Sequence, residues 1–244
     1  MLSAHVAVAS AAVSSGETVR ELQERIRQMQ ATKLDTRSIP TLAAFAEILP
    51  GGALKQGVSY SVEGSMTLLM ALVAGPSAAG SWCGVIGVPE FGIEAAANFG
   101  IDLDRVAFVP YPGEHWLTVA AALADVLSVV VLRPAKRVSD GVAARLAARI
   151  RQRGATLIVV GAWPQSEAVL SLSESRWRGV GNGHGYLSDR QVTVTATTRS
   201  NGRSRSRKLW FPDADQQFRA ETLSREVDFP APMLSGPGYH RAVG

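Results

Sequence analysis

The chain has one cysteine, Cys83, among 244 residues. No internal disulfide can form, so a reducing cytoplasm is the expected location. Cys83 sits in the apolar run 82–88 and reads as an inert core residue. The four histidines, His5, His115, His184 and His240, are scattered and have no cysteine or carboxylate at ligand spacing. No metal site is expected from such a pattern. Asp102-Leu103-Asp104 and Asp213-Ala214-Asp215 lack the calcium-loop pattern and read as turns. No uncharged apolar run approaches the ~20 residues of a membrane span, so no membrane partner is expected. There is no G-x-S-x-G elbow and no Cys–His pairing, so hydrolase chemistry has no support in the sequence. Residues 1–15 lack the basic start and sustained apolar core of a secretion signal and read as a flexible leader.

What is present suits one main domain with ends attached. The chain is 46% hydrophobic, enough for a sizeable core. A net charge of +4 and a pI near 9.6 permit a nucleic acid or an acidic protein as partner without requiring either. Val19, Leu22, Ile26 and Met29 recur at helical spacing, so 16–30 reads as an exposed amphipathic helix, joined through a polar stretch at 33–38. Pro50-Gly51-Gly52 marks a turn before the first core strand.

From there strands and helices alternate. Strands are expected at 58–62, 82–88, 106–109, 128–132 and 156–161. Helices are expected at 67–74, 93–99, 115–127 and 140–153. This order argues for βαβ units and a parallel sheet flanked by helices. After Gly161 the pattern changes. Stretches 168–177, 191–198 and 206–211 read as strands joined by Gly-rich turns, and Gln191 to Thr197 alternates with period two. These are expected to extend the sheet with antiparallel strands. Gly179 to Gly185 reads as a flexible hairpin loop, and 228–244, rich in Pro and Gly, as a disordered tail. The expected division is a leader at 1–15, a helix and linker at 16–38, a core domain at 39–227 and the tail.

The first strand and helix enclose a phosphate-binding loop in outline only. The stretch 57–72 reads strand, tight turn, helix, where G-x-x-x-x-G-K-[ST] would wrap backbone N–H groups and a Lys around phosphates. Here the turn is Glu63-Gly64-Ser65, followed by Met66 and Thr67. It is shortened and holds no Lys, so charge developing on a phosphoryl group would have little to stabilise it. The expectation is a nucleotide-hydrolase scaffold without hydrolysis and without a bound cofactor.

The order of elements resembles the RecA recombinase core from about residue 39 to 211. The resemblance rests on Ile39-Pro40-Thr41 with Leu49-Pro50-Gly51-Gly52, on Gly100-Ile101-Asp102-Leu103-Asp104-Arg105-Val106, and on the late runs Glu174-Ser175-Arg176-Trp177-Arg178 and Arg190-Gln191-Val192-Thr193-Val194. It implies a Walker B Asp at the end of the fourth strand, where Leu132 and Arg133 stand instead. It also places Glu90 near the family's water-activating Glu. Between Gly161 and Glu167 only five residues remain of a DNA-binding loop. A RecA-like chain with these losses is similar to the ImuA-prime type accessory proteins of the actinobacterial mutasome. That resemblance implies a non-catalytic role in the SOS response, in damage-induced mutagenesis and translesion synthesis. The implied partners are an ImuB-type Y-family polymerase-like protein and, through it, an error-prone C-family polymerase.

Two surfaces are candidates for contact. One is the helical face Val19, Leu22, Ile26 and Met29, for a protein partner or for the chain's own domain. The other is the basic run Arg199, Arg203, Arg205, Arg207 and Lys208, with Arg176, Arg178 and Arg190 nearby in sequence and no acidic residue from Arg190 to Phe211. Such a run suits phosphate-backbone contact or a solvated hairpin tip. Trp177 and Trp210 could stack bases or pack in the core. The alternative function is therefore a RecA-like regulator that binds single-stranded DNA weakly and directly.

Overall fold

A computed structural model describes residues 38–179 and 186–221. The expected leader, the amphipathic helix 16–30, most of the Gly-rich loop and the tail lie outside these residues. Eleven strands and four α-helices are described: β1 (Ser38–Ile39), β2 (Leu54–Lys55), β3 (Ser59–Val62), α1 (Met66–Ala78), β4 (Cys83–Ile86), α2 (Ile93–Asn98), β5 (Val106–Val109), α3 (Trp116–Ala124), β6 (Val129–Leu132), α4 (Asp140–Arg153), β7 (Thr156–Val160), β8 (Ala168–Arg178), β9 (Asp189–Thr198), β10 (Ser204–Trp210) and β11 (Arg219–Ala220). β1 and β2 pair with each other. The other nine form one sheet in the order β11-β10-β9-β8-β3-β7-β6-β4-β5.

The run from β8 to β5 in that order is parallel, and the run from β8 to β11 is antiparallel. The sequence explains the division. Strands such as Val129-Val130-Val131-Leu132 are apolar on both faces and buried throughout, as a parallel sheet covered on both sides requires. β9 alternates instead, with Val192, Val194 and Ala196 buried and the threonines between them partly exposed.

One face of the sheet is covered by α1, which is buried from Leu68 to Ser77. A helix apolar all round must be enclosed, and a segment carrying Phe45, Ile48 and Leu49 closes over this layer. α1 runs on to Ala78, past the expected stop at Ala74, with Pro76 inside its last turn. Gly75 lets residues 41–42 cross it: a Cβ there would lie 2.7 Å from Leu42 N. The other face is covered by α3 and α4 through Trp116, Ala120, Ala143, Leu146 and Ile150. Gly154 follows α4 in the left-handed conformation, φ 71°, which ends the helix.

The link 161–167 joins β7 to β8 across β3. The Glu167 N–H donates to Ser59 O at 2.7 Å, and the Ser59 hydroxyl to Gln165 O at 3.4 Å. The small residues Ser59 and Ser61 alternate with Tyr60 and Val62 along β3, so they share the face turned to the link. Trp163 of the link is buried in the α3–α4 layer.

Candidate functional site

The nucleotide end of such a sheet lies at the C-terminal ends of its parallel strands. Here the turn between β3 and α1 is three residues long, Glu63-Gly64-Ser65. Gly64 takes φ 64°, a turn conformation with no loop around it. The Glu63 N–H donates to Leu170 O at 2.9 Å, and the Leu68 N–H to the Ser65 hydroxyl at 3.1 Å. Ser65 thus caps α1 in the ordinary way. Two donors that could face a phosphate are taken up by the fold itself. Met66 and Thr67 follow, both half-buried, and the one charged side chain of the stretch, Glu63, is exposed. A carboxylate opposes an anion at this helix end, where a cation would favour it.

The neighbouring strand ends complete this arrangement. Arg133 follows β6 with its N–H on Ile86 O at 2.9 Å, and its guanidinium bonds and pairs with Glu90. The RecA resemblance implies the metal-organising Asp at Leu132 or Arg133 and the water-activating Glu near Glu90. Arg133 and Glu90 neutralise each other. The Glu90 carboxyl is held below its usual range by a hydrogen bond from its own backbone and by Arg133. A carboxylate so stabilised is a weaker base. Gly87, at φ 72°, brings the Glu90 loop against β6, since a Cβ there would lie 2.5 Å from Arg133 O. Among the described residues no cluster of three or more His, Cys, Asp or Glu is placed to hold a metal ion. No helix among them is long and apolar enough to cross a membrane.

The basic run does not form one patch. Arg199 and Arg203 flank the turn between β9 and β10, exposed and without an acidic partner among the described residues. Arg205 and Arg207 lie opposite Ala196 and Val194, on the face of Leu209. They reach the segment over α1: Arg205 donates to Leu49 O at 3.2 Å, and Arg207 pairs with Glu47. Lys208 lies opposite Thr193, on the other face. Absence of carboxylates along the sequence did not mean absence in space. Arg176, Arg178 and Arg190 are at the opposite end of β8 and β9 from the Arg199 turn. There Arg190 stacks 5.5 Å from the Trp177 ring centre, and Arg178 lies 5.0 Å from that of Trp210. The face Val19, Leu22, Ile26 and Met29 lies outside the described residues.

Cys83 is buried in β4, and desolvation pushes its thiol up to about 12. It is an inert core residue.

A solved structure places this geometry. The crystal structure of the RadB recombinase matches with a TM-score of 0.52 at 12% identity, covering 72% of this chain and 96% of that one. The fold is RecA-like. In sequence, the model of a family described as the MT3502 N-terminal domain matches residues 47–165. The uncharacterized protein Rv3395c of Mycobacterium tuberculosis (strain ATCC 25618 / H37Rv) is 38% identical over 121 residues. That match covers 48% of this chain and 59% of that protein, so the chain spans under two thirds of this relative's length. The family match holds the Glu63 turn, Glu90 and Arg133, and ends before β8.

Proposed function

We propose that this protein is a non-catalytic RecA-like accessory protein of damage-induced mutagenesis. It acts in the cytoplasm through protein contacts with an ImuB-type polymerase-like partner, and through that partner with an error-prone C-family polymerase. One observation carries the loss of catalysis: Glu90 and Arg133 pair with each other beside a three-residue turn that holds no cation. A sheet kept whole while its nucleotide end is closed leaves the outer surfaces to do the work. The pathway rests on the overall resemblance to the mutasome accessory group. The test is co-purification from cells treated with a DNA-damaging agent, with and without nuclease. Polymerase partners retained after nuclease support the reading. Partners lost with nuclease would favour the second reading, a single-strand binder. Arg199 and Arg203, exposed and without an acidic partner among the described residues, are the observation in favour of that alternative.

A further inference from the structure

β8 and β9, with β10 beside them, continue beyond the end of β3. β8 last pairs with β3 at Leu170 and runs on to Arg178. At roughly 3.3 Å per residue those eight residues reach about 26 Å. Since β8 is parallel to β3, the ribbon rises from the end that carries the Glu63 turn. It bears Trp177, 49% exposed, and its far end leads to Tyr186 and Leu187, 92% and 57% exposed. Large exposed aromatics beside arginine are the composition of contact anchors.

The outer edge of this ribbon has no strand beside it among the described residues. Leu170 O accepts from the Glu63 N–H on that side, so Leu172, two residues on, turns its N–H and C=O the same way. A bulge between Ser173 and Arg176 resets the alternation. Beyond it, Arg190 directs its N–H to Pro212 O at 2.9 Å and accepts from the Phe211 N–H at 2.6 Å, away from β8. Its cross-strand neighbour Trp177 therefore also turns its backbone groups outward.

Charge sets the kind of segment that fits. Arg176 and Lys208 have no acidic partner among the described residues. With Ser175 and Thr193 they line a concavity of about 240 Å³. Glu174, also on its wall, accepts from the Thr193 hydroxyl at 2.7 Å. Asp189 pairs with Arg178 at 3.8 Å. Arg190 covers one side of Trp177 and leaves the other open.

We propose that the outer edge of β8, from Leu172 to Trp177, is a strand-addition site for an extended acidic segment of a protein partner. Main-chain bonds to Leu172 and Trp177 would set its register, and Trp177 would anchor an apolar side chain. Its carboxylates lie at the Arg176 end, because Glu63 stands near the other. A sugar–phosphate chain has no ladder of N–H and C=O groups to offer this edge. A second copy would bring an identical basic edge, and like charge opposes self-pairing. The proposal deepens the reading that the chain works through protein contacts, by naming the site and the partner's chemistry.

The test uses the full chain, immobilised and panned with a display library of random peptides about twelve residues long. Enriched peptides are then labelled and titrated by fluorescence anisotropy. The expected peptides are acidic and free of central proline. Their affinity should fall at least about tenfold with Arg176→Glu, and likewise with Trp177→Ala, while circular dichroism is unchanged. Arg203→Glu, the same charge change at the distant turn, should alter it less than about twofold. The proposal is overturned if no peptide is enriched, if the enriched peptides are basic or proline-rich, or if Arg203→Glu weakens them as much as Arg176→Glu. It is also overturned if the ribbon variants abolish binding of a labelled oligo-dT and spare the peptides, or if they act by breaking a dimer seen in sedimentation. Peptide binding by the purified chain does not depend on the pathway. If it holds while polymerase co-purification fails, the site stands and the pathway reading falls.

Discussion

Gly75 and Gly141 should respond to alanine with opposite signs. Both lie within α-helices, α1 and α4, where local propensity favours Ala over Gly by up to about 1 kcal/mol. Propensity alone therefore has both substitutions stabilise. Packing reverses the sign at one of them. A Cβ on Gly75 would lie 2.7 Å from Leu42 N, 2.9 Å from Thr41 Cα and 3.0 Å from Thr41 C. These are main-chain atoms held in place. Thr41 donates to Ile39 O at 2.8 Å and accepts from the Leu54 N–H at 3.0 Å, and Leu42 O accepts from the Phe45 N–H at 2.9 Å. They cannot swing aside as a long side chain would. Forcing a methyl into so tight a contact costs about 1–3 kcal/mol. Set against a propensity gain of at most about 1 kcal/mol, the net loss for Gly75→Ala is up to about 2 kcal/mol. For a chain of this size that lowers Tm by up to about 4–8 °C. At Gly141 nothing lies within 4 Å of the added carbon. Gly141→Ala should therefore raise Tm slightly. Thermal unfolding followed by circular dichroism reads both. If Gly75→Ala stabilises as Gly141→Ala does, residues 41–42 do not cross α1 as described, and the packing argument is wrong.

Cys83 should resist thiol reagents in the folded protein and react after denaturation, and rapid native labelling would show that β4 is open to solvent. Burial raises its thiol from 9.0 to about 12, so its contribution to stability is full below about pH 9 and is lost as pH rises through that window; Cys83→Ala should flatten this alkaline fall in a urea-unfolding series. If the β9–β10 turn binds single strands, changing Arg199 and Arg203 together to Ala should reduce the slope of log affinity against log salt by up to about 1.4, two phosphates at about 0.7 each. An unchanged slope on a labelled oligonucleotide would remove that turn from DNA contact. Replacing Leu22 and Ile26 with Asp should abolish pull-down of the partner and leave Tm unchanged, because an uncompensated carboxylate costs several kcal/mol in an interface; a collapse of Tm would place that face in the protein's own core.

The parallel half of the fold was readable because each of its elements has a strong local signature. Residues 106–109 and 140–153 were expected with the bounds that are found. Four-residue apolar runs, helical spacing and a glycine after the last arginine are all local signals. The extension of α1 through Pro76 was not readable, because burial on all sides of the helix outweighs the local cost of a proline. The division of the basic run between two strand faces was readable only in part. Arg205 and Arg207 share a strand face with Leu209 by simple alternation, and that signal was present in the sequence. Their partners, Leu49 and Glu47, stand about 160 residues earlier, and no local rule brings them together. The same holds for Glu90 and Arg133. The sequence puts Leu132 and Arg133 where a Walker B Asp is needed and Glu90 near the water-activating Glu, but no local rule pairs Glu90 with Arg133. The arm at the end of β8 was legible only as a row of arginines and a tryptophan. Its edge, with no strand beside it among the described residues, follows from where β3 ends, which is a matter of register.

The most direct test of the central claim is ATP turnover by the purified full chain with Mg²⁺, with and without single-stranded DNA. With Glu90 paired to Arg133 and no cation in the Glu63–Ser65 turn, the expected rate equals that of a protein-free blank under both conditions. Turnover above the blank that disappears with Glu90→Gln would contradict the account, because it would require Glu90 to leave Arg133 and activate water at a working nucleotide site.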